Sequence, residues 1–465
     1  MRQCIKKFYR GLLVVRVALP SVEGDVRPWH QTDPILSVVI PCRNYGRYIR
    51  EALRSLESQT FRDFETILVD DGSDDQFTLK TLDDLEREGV RVTRQKKLNV
   101  AAALNHGITI TRGRYVCCFA ADDKLEPTYF EKCLCLLESN PGVDFAYSLA
   151  RTFGYVNQIW LTEPFDLRVL LGYNHILATA VFKKVMWEKI GGFDEELEAY
   201  EDWDFWIRAG KAGFRGRLIH EILFNYRRHQ AALSLRADSK SLELIRHIQS
   251  TQAELFANPE VIVDIQKSYR DVRVRGPFLN LSRKTQYVGS TERQMVVIAS
   301  SPAEVAASLL VARSCKMNPI FVTTDHTSYR HDEQSSGLTN NYALSLFLDR
   351  YCWLDFLVNL IQTRSASTVL ISDSELAFEW VPTIKAMTSA MTVDVVRDQD
   401  AGSGSLSARY DPFIDLHVAM STSAAKTLRE SFGLSEKKII LFSESHLYDE
   451  FTDRLQSSIN RTEET

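Results

Sequence analysis

The chain has 465 residues, 45% hydrophobic, 25% charged and 10% aromatic, with a formal net charge of −5. That length suggests two or three domains of ordinary globular composition, and the charge gives no electrostatic reason to expect a nucleic-acid partner. The eight cysteines include no Cys-x-x-Cys pair, which argues against a zinc or dithiol redox site.

Along residues 1–34, Arg2, Lys6, Lys7 and Arg10 precede Gly11-Leu12-Leu13-Val14-Val15, and Arg16 then breaks the apolar run. No small-x-small cleavage site follows, and the run is far short of the ~20 residues a membrane helix needs. A poorly ordered tail is expected, with weak basic contact to an anionic membrane surface as the other reading. A continuous apolar run from Ile35 to Pro41 reads as a buried parallel strand. Ile49, Ala52, Leu53 and Leu56 share one face of a helix over 48–60. A second strand, Phe64 to Val69, ends at Asp70-Asp71-Gly72-Ser73, and Leu79, Leu82 and Leu85 mark the next helix. The alanine-rich stretch from Val100 to Thr111 is helical, and Arg114 to Ala120 is a third strand that ends at Asp122-Asp123. Within it Cys117 and Cys118 read as small buried hydrophobes in a reducing compartment. Pro127 opens a helix carrying Phe130, Leu134 and Leu137.

From Val143 to about Gly172 the pattern is irregular, and a helix follows from Glu201 to about Ala212. Residues 236–290 are polar and read as a connecting region. A second α/β alternation then runs to about 455, with a short tail over 456–465. Its strands are Met295–Ser300, Pro319–Thr323, Ser367–Ser372, Met391–Val396, Asp415–Met420 and Lys438–Phe442. Its helices are Ala303–Cys315, Trp353–Arg364, Val381–Ser389 and Ser423–Phe432, and the Gly- and Ser-rich stretch 399–408 reads as a mobile loop. The alternation in both halves is that of doubly wound α/β folds.

In such sheets ligands bind beyond the carboxyl ends of the strands, where both aspartate clusters fall. Either cluster alone is an ordinary turn. Four carboxylates at one sheet edge are costly without a cation or hydrogen-bond donors. A hard divalent cation, Mg²⁺ or Mn²⁺, prefers oxygen ligands shared with substrate phosphates. Sugar transfer from a nucleotide diphosphate also needs a carboxylate to deprotonate the acceptor hydroxyl.

The series Ser37 to Pro41, Asn44, Gln59-Thr60, Phe64-Glu65 and Val69 to Asp75 resembles the opening of family 2 glycosyltransferases. Asn99 to Gly107, Gly113-Arg114-Tyr115, Ala121-Asp122-Asp123, Gly191 to Glu195, Glu201 to Trp206, Tyr226-Arg227, His229 and Ser234 continue it in order. The resemblance covers residues 35–235. It implies a GT-A fold with a Rossmann-like mixed sheet, a nucleotide-diphosphate sugar donor, a divalent cation and inversion at the anomeric carbon. By position, Pro41 and Arg43 line the base pocket, Asp71 bonds the base with Asp70 beside it, and Asn44 and Asn99 lie on the donor side. Asp122 and Asp123 match the metal and ribose motif, and which of them is the direct ligand stays open. His229 is a further candidate near the metal or diphosphate. Asp202 is the expected catalytic base, and Gly191, Gly192, Glu201 and Trp203 fall near the acceptor, where the flat indole suits a sugar ring.

Three positions depart from the family pattern. Arg43 replaces a frequent aromatic, although a guanidinium also stacks; Ala101 stands where glycine is usual; Ala120 replaces a frequent first Asp. In the second half, Asp415 to Ser421, Leu428 to Gly433 and Lys437 to Ile440 loosely resemble the N-terminal lobe of GT-B glycosyltransferases. Such a lobe alone is half an enzyme: the expectation is that it binds an acceptor or partner, or is a truncation remnant. The sequence therefore leads to a glycosyltransferase acting on a glycan or lipid-linked acceptor, in the cytoplasm or at the inner membrane face. The alternative is a non-catalytic protein that binds nucleotide sugar or glycan. A sugar nucleotidyltransferase would want a glycine-rich loop where Pro41 to Tyr45 stands.

Overall fold

The computed structural model describes residues 33–155, 157–160, 162–229, 240–257, 294–300, 305–324, 341–372, 374–397 and 401–442. Both expected tails, Ser234 and most of the expected connecting region lie outside them. The described residues fall into two compact units: 33–257 with Leu346–Leu348, and 294–345 with 349–442.

In the first unit, β1 (Leu36–Cys42) is apolar on both faces, and Val38, Val39 and Ile40 are fully buried. It becomes a central strand, flanked by β2 (Phe64–Asp71) and β4 (Tyr115–Cys118), with β3 (Arg91–Gln95) outside β2, all parallel. The remaining strands are β5 (Lys124–Leu125), β6 (Phe145–Gly154), β7 (Ile159–Trp160), β8 (Val181–Lys183) and β9 (Gly216–Arg228). The sheet order is β3-β2-β1-β4-β8-β6-β9-β5, with β7 paired to β6. The β4–β8, β8–β6 and β5–β9 pairs are antiparallel, so the sheet is mixed, as the family resemblance implies.

The helices follow the expected spacing. In α1 (Ile49–Glu57) the buried side chains are Ile49, Ala52 and Leu56. Asp75 caps α2 (Gln76–Arg87) by accepting from the Thr78 N–H, and Asn99 caps α3 (Val100–Thr109) from Ala102. Then come α4 (Tyr129–Ser139), α5 (Leu167–Gly172), α6 (Lys184–Ile190) and α7 (Glu201–Lys211). Helices α8 (Ser241–Thr251) and α9 (Ala253–Ala257) lie within the expected connecting region, yet Leu244, Ile248 and Leu255 are buried in the same core as Val39 and Phe205. That part of the connection is therefore built into the first unit.

Of the strands that escape the sequence pattern, three are five residues or longer. β3 reads Arg-Val-Thr-Arg-Gln, an edge strand too polar to show as an apolar run. β6 lies in the stretch expected to be irregular, its apolar residues diluted by Ser148, Arg151 and Thr152. β9 runs 13 residues but is broken up by Arg217, His220 and Asn225.

The second unit is an all-parallel sheet, β12-β11-β10-β13-β14-β15-β16. Its strands are β10 (Gln294–Ala299), β11 (Asn318–Thr323), β12 (Asn341–Ala343), β13 (Thr368–Ser372), β14 (Met391–Val396), β15 (Leu416–Ala419) and β16 (Ile439–Leu441). Between them lie α10 (Val305–Ser314), α11 (Trp353–Thr363), α12 (Glu375–Met387), α13 (Ala401–Tyr410) and α14 (Thr422–Glu430). The doubly wound expectation holds, with two corrections. Helix α12 begins six residues before Val381, because Ser374 caps it by accepting from Ala377. The loop expected over 399–408 is largely α13. There the buried Ser407 hydroxyl donates to Asp394 at 2.6 Å, and this tertiary bond outweighs the low helix propensity of Gly and Ser. Among the described residues no helix is long and apolar enough to cross a membrane.

Gly107 tests the packing of α3 on the sheet. A Cβ there would lie 2.3 Å from Val39 Cγ1 and 2.9 Å from Val69 Cγ2. Gly107→Val is expected to destabilise the chain by about 1–3 kcal/mol, read as a lower denaturation midpoint. An unchanged midpoint would refute this close contact.

Candidate functional site

The register of β1 places Cys42 opposite Asp70 of β2, and Val39 opposite Cys118 of β4. The three strands therefore release their loops at one edge. Asp70 and Asp71 are buried there. Asp70 Oδ1 accepts from the Ser73 N–H at 3.0 Å. Asp71 Oδ1 accepts from Gln95 Nε2 at 2.8 Å and the Leu98 N–H at 2.9 Å. Gly72 has φ +66°, and a Cβ would meet Lys97 N at 2.6 Å, so the Asp-Asp-Gly turn requires its glycine. Asn44, also left-handed at φ 60°, donates to Asp74 Oδ1 at 2.7 Å and accepts from the Asp74 N–H at 3.0 Å. It thus laces the β1 loop to the β2 loop. Beside it Pro41 and Arg43 are half-buried, and Arg43 Nε is buried without a hydrogen-bond partner.

Asp122 and Asp123 follow β4 and are also buried. Asp122 Oδ2 lies 2.9 Å from His229 Nε2. Asp123 Oδ1 instead accepts from the Arg227 N–H at 2.7 Å, and Arg227 Nε donates to the Asp122 carbonyl at 2.6 Å. The Arg227 guanidinium also pairs with Glu51 and lies over the rings of Tyr48 and Phe153. Tyr48 and Tyr45 flank His229 with centroids at 4.8 and 5.6 Å. Burial and the neighbouring Asp122 charge push Asp123 well above the carboxylate range; burial raises Asp122 too, and His229 opposes it. Among the described residues no three His, Cys, Asp or Glu side chains converge as a complete metal cage. Asp122 and His229 are the pair that could contribute to one, with the remaining positions left to phosphate or water oxygens. Glu51, Tyr45 and Tyr48 are not singled out by the sequence, and Arg227 appears there only as part of the family series; their roles depend on contacts across more than 100 residues.

The third element is the start of α7. Tyr200 takes a left-handed φ of 63° and turns the chain so that Glu201 and Asp202 begin the helix. Burial, then the Asp202 charge, push Glu201 up to about 8. Burial pushes the half-buried Asp202 up to about 6 against opposing hydrogen bonds. These come from the Trp203 N–H to Oδ1 at 2.8 Å and from Asn174 Nδ2 to Oδ2 at 3.1 Å. Both acidic charges reach the Cys118 thiol at the end of β4 and help to raise it.

Other expected site residues take supporting positions. Trp203 was expected to offer an open indole face, but it is 7% exposed in the core, with Nε1 donating to the Leu170 carbonyl at 2.6 Å. Trp206 stacks on Phe145 at 4.7 Å. Asn99 is committed to the α3 cap and to the Glu195 carbonyl, at 2.7 Å. Gly191 and Gly192 are both left-handed and line a cavity of about 450 Å³ with Asn105, Asp194, Asp204 and Arg208. Ala101 sits in the first turn of α3, so no positive φ is asked of it.

Glu201 carries a pH signature. Its folded value, about 8, lies above its ordinary 4.5, so the folded state holds more protons between those limits and stability falls as pH rises through them. Glu201→Gln removes that loss, on the order of a few kcal/mol. The melting temperature of the variant relative to the parent should therefore rise between pH 5 and pH 9. A constant difference would refute the assignment.

Residues 37–202 match the family described as Glycosyl transferase family 2. The amylovoran biosynthesis glycosyltransferase AmsB of Erwinia amylovora is 30% identical over 211 residues, 42% of this chain and 70% of that protein. An uncharacterised glycosyltransferase of Haemophilus influenzae is 27% identical over 264 residues, 54% of this chain and 87% of that protein. The structure of S. aureus TarS 1–349 in complex with UDP-GlcNAc is 21% identical, covering 43% of this chain and 60% of that one at a TM-score of 0.38. The share of AmsB that is matched, together with the family match over residues 37–202, makes this chain a glycosyltransferase of family 2.

Proposed function

We propose that the first unit moves a sugar, with inversion, from a nucleotide-diphosphate sugar to a hydroxyl of a glycan or lipid-linked acceptor. The observation that carries this reading is the end of β4. Asp122 and Asp123 follow it in the chain, while the charges of Glu201 and Asp202 act on its last residue, Cys118. On this reading one pair supplies the phosphate side and Asp202 the base side of a single displacement. The name of AmsB, which ties it to amylovoran biosynthesis, supports a polysaccharide acceptor. A place in the cytoplasm or peripherally at the inner membrane face would suit an enzyme with such an acceptor.

On this reading Arg43 Nε, buried and unpartnered, takes an acceptor atom of the base or diphosphate. Asp71 meets the base with the oxygen that Gln95 and Leu98 leave open. Asp122 and His229 would hold a Mg²⁺ or Mn²⁺ ion, which would offset the charge of the leaving diphosphate. Asp123 braces that loop through Arg227. Asp202 takes the acceptor hydroxyl proton as the new bond to the anomeric carbon forms and the bond to the diphosphate oxygen breaks. A pKa of about 6 leaves it mostly ionised at neutral pH while keeping it basic enough to act.

Asp202→Asn is expected to lower turnover by about 10²–10⁴ while sparing donor binding. The check is nucleoside-diphosphate release from a panel of UDP- and GDP-sugars with Mn²⁺, and normal turnover would sink the base assignment. With UDP and Mn²⁺ at 100 times the dissociation constant, the parent should gain about 2.7 kcal/mol of stability. Asp122→Asn should lose most of that gain, and retention of the full thermal shift would remove Asp122 from the cation site. Donor binding with no transfer to any acceptor would favour the binding-protein alternative.

A further inference from the structure

We propose that Asn174 is a positioning residue for Asp202: its amide, locked by its own turn, fixes one carboxylate oxygen and favours the ionised form of the base. The inference rests on Asp202 being the base. Asn174 Nδ2 donates to Asp202 Oδ2 at 3.1 Å, and Asn174 Oδ1 accepts from the Ile176 N–H at 3.2 Å. The two contacts demand the same amide orientation, since a carboxylate only accepts and a backbone N–H only donates. The amide therefore cannot flip without losing both bonds.

The segment that carries Asn174 is firmly held. His175, Ile176 and Ala180 are fully buried, and the buried Tyr129 hydroxyl of α4 donates to the Thr179 carbonyl at 2.9 Å. A scaffold this constrained presents the amide at a fixed point, so the bond costs little ordering entropy when the base is charged. The groups acting on Asp202 come from three elements. Glu201 stands beside it on α7, kept protonated at neutral pH chiefly by burial, and Cys118 of β4 lies within reach of it. The Trp203 N–H, the Ala178 backbone and the Asn174 amide favour the charge. Of these, Asn174 alone reaches the carboxylate through a side chain that substitution can remove. A neutral amide suits this place: an acidic side chain would add a second negative charge beside Asp202, and a lysine would hold the carboxylate too weakly basic to take a proton.

The test uses the full chain with Asn174→Ala, Asn174→Ser and Asp202→Asn. ¹³Cγ-aspartate NMR titration follows the Asp202 signal, assigned by its loss in Asp202→Asn. In Asn174→Ala the midpoint should rise by about one pH unit, a tenfold gain in proton affinity, with Asn174→Ser between it and the parent. The acid limb of nucleoside-diphosphate release, probed with UDP-GlcNAc and the other panel donors, should move to higher pH in step. An unmoved midpoint in a folded variant, with activity falling equally at every pH, would overturn the proposal. Failure of both Asn174 variants to fold would assign the amide to the scaffold and overturn it equally. Full turnover by Asp202→Asn would instead remove the base reading, and the NMR titration would still report the Asn174–Asp202 contact separately.

Discussion

The parallel register of β1 against β2 and β4 is the constraint on which the site depends. Cys42 pairs with Asp70 and Val39 with Cys118, so the chain leaves all three strands on the same side of the sheet. A slip of one residue would turn every side chain of β1 to the opposite face. Because β1 is buried on both faces, hydrophobicity alone would tolerate such a slip; close contacts do not. Gly107 on α3 rests against Val39 and Val69 with no room for a Cβ, and Gly113 lies as close to Ser37. These contacts fix β1 along its length and thereby the placement of the aspartates beyond its neighbours.

The buried acidic groups of the first unit are relieved of their repulsion in different ways. Asp70 and Asp71 are met by N–H donors from their own and neighbouring loops. Asp122 and Asp123 are met by His229 and by the backbone and side chain of Arg227. Glu201 is handled differently: burial keeps it protonated at neutral pH, leaving Asp202 as the charged member of its pair. Three chemistries thus relieve the same repulsion. Fixed donors hold the Asp70-Asp71 loop, an imidazole and an arginine brace the Asp122-Asp123 loop, and a protonated neighbour spares Asp202 a second charge at its side.

Much of this was legible in the sequence because it is local. The apolar runs of β1, β2 and β4, the helical spacing of α1 and the aspartates at strand ends each fit within about ten residues. Asp202 was found through family resemblance, since nothing in Glu201-Asp202 alone distinguishes it from a helix start. The illegible parts were non-local or diluted. β9 mixes arginines and a histidine into its apolar pattern, so its 13 residues did not announce a strand, and Arg227 could not be read as the brace of a loop a hundred residues earlier. Trp203 shows the opposite error, because a residue suited to stacking on sugar was needed first as core, with its N–H spent on Leu170. The helix at 401–410 was hidden by Gly and Ser, whose propensities were overruled by Ser407 bonding the buried Asp394.

The bond from the Arg227 N–H to Asp123 spans 104 residues of chain. On a translating ribosome the aspartate pair therefore emerges well before the strand that pins it. At ~5–20 residues per second that interval is roughly 5–20 s. The loop of Asp122 and Asp123 consequently matures late, after β9 has joined β6. Defects in β9 should thus surface as a failure of the aspartate loop to mature, even though they lie beyond the last residue of the family match.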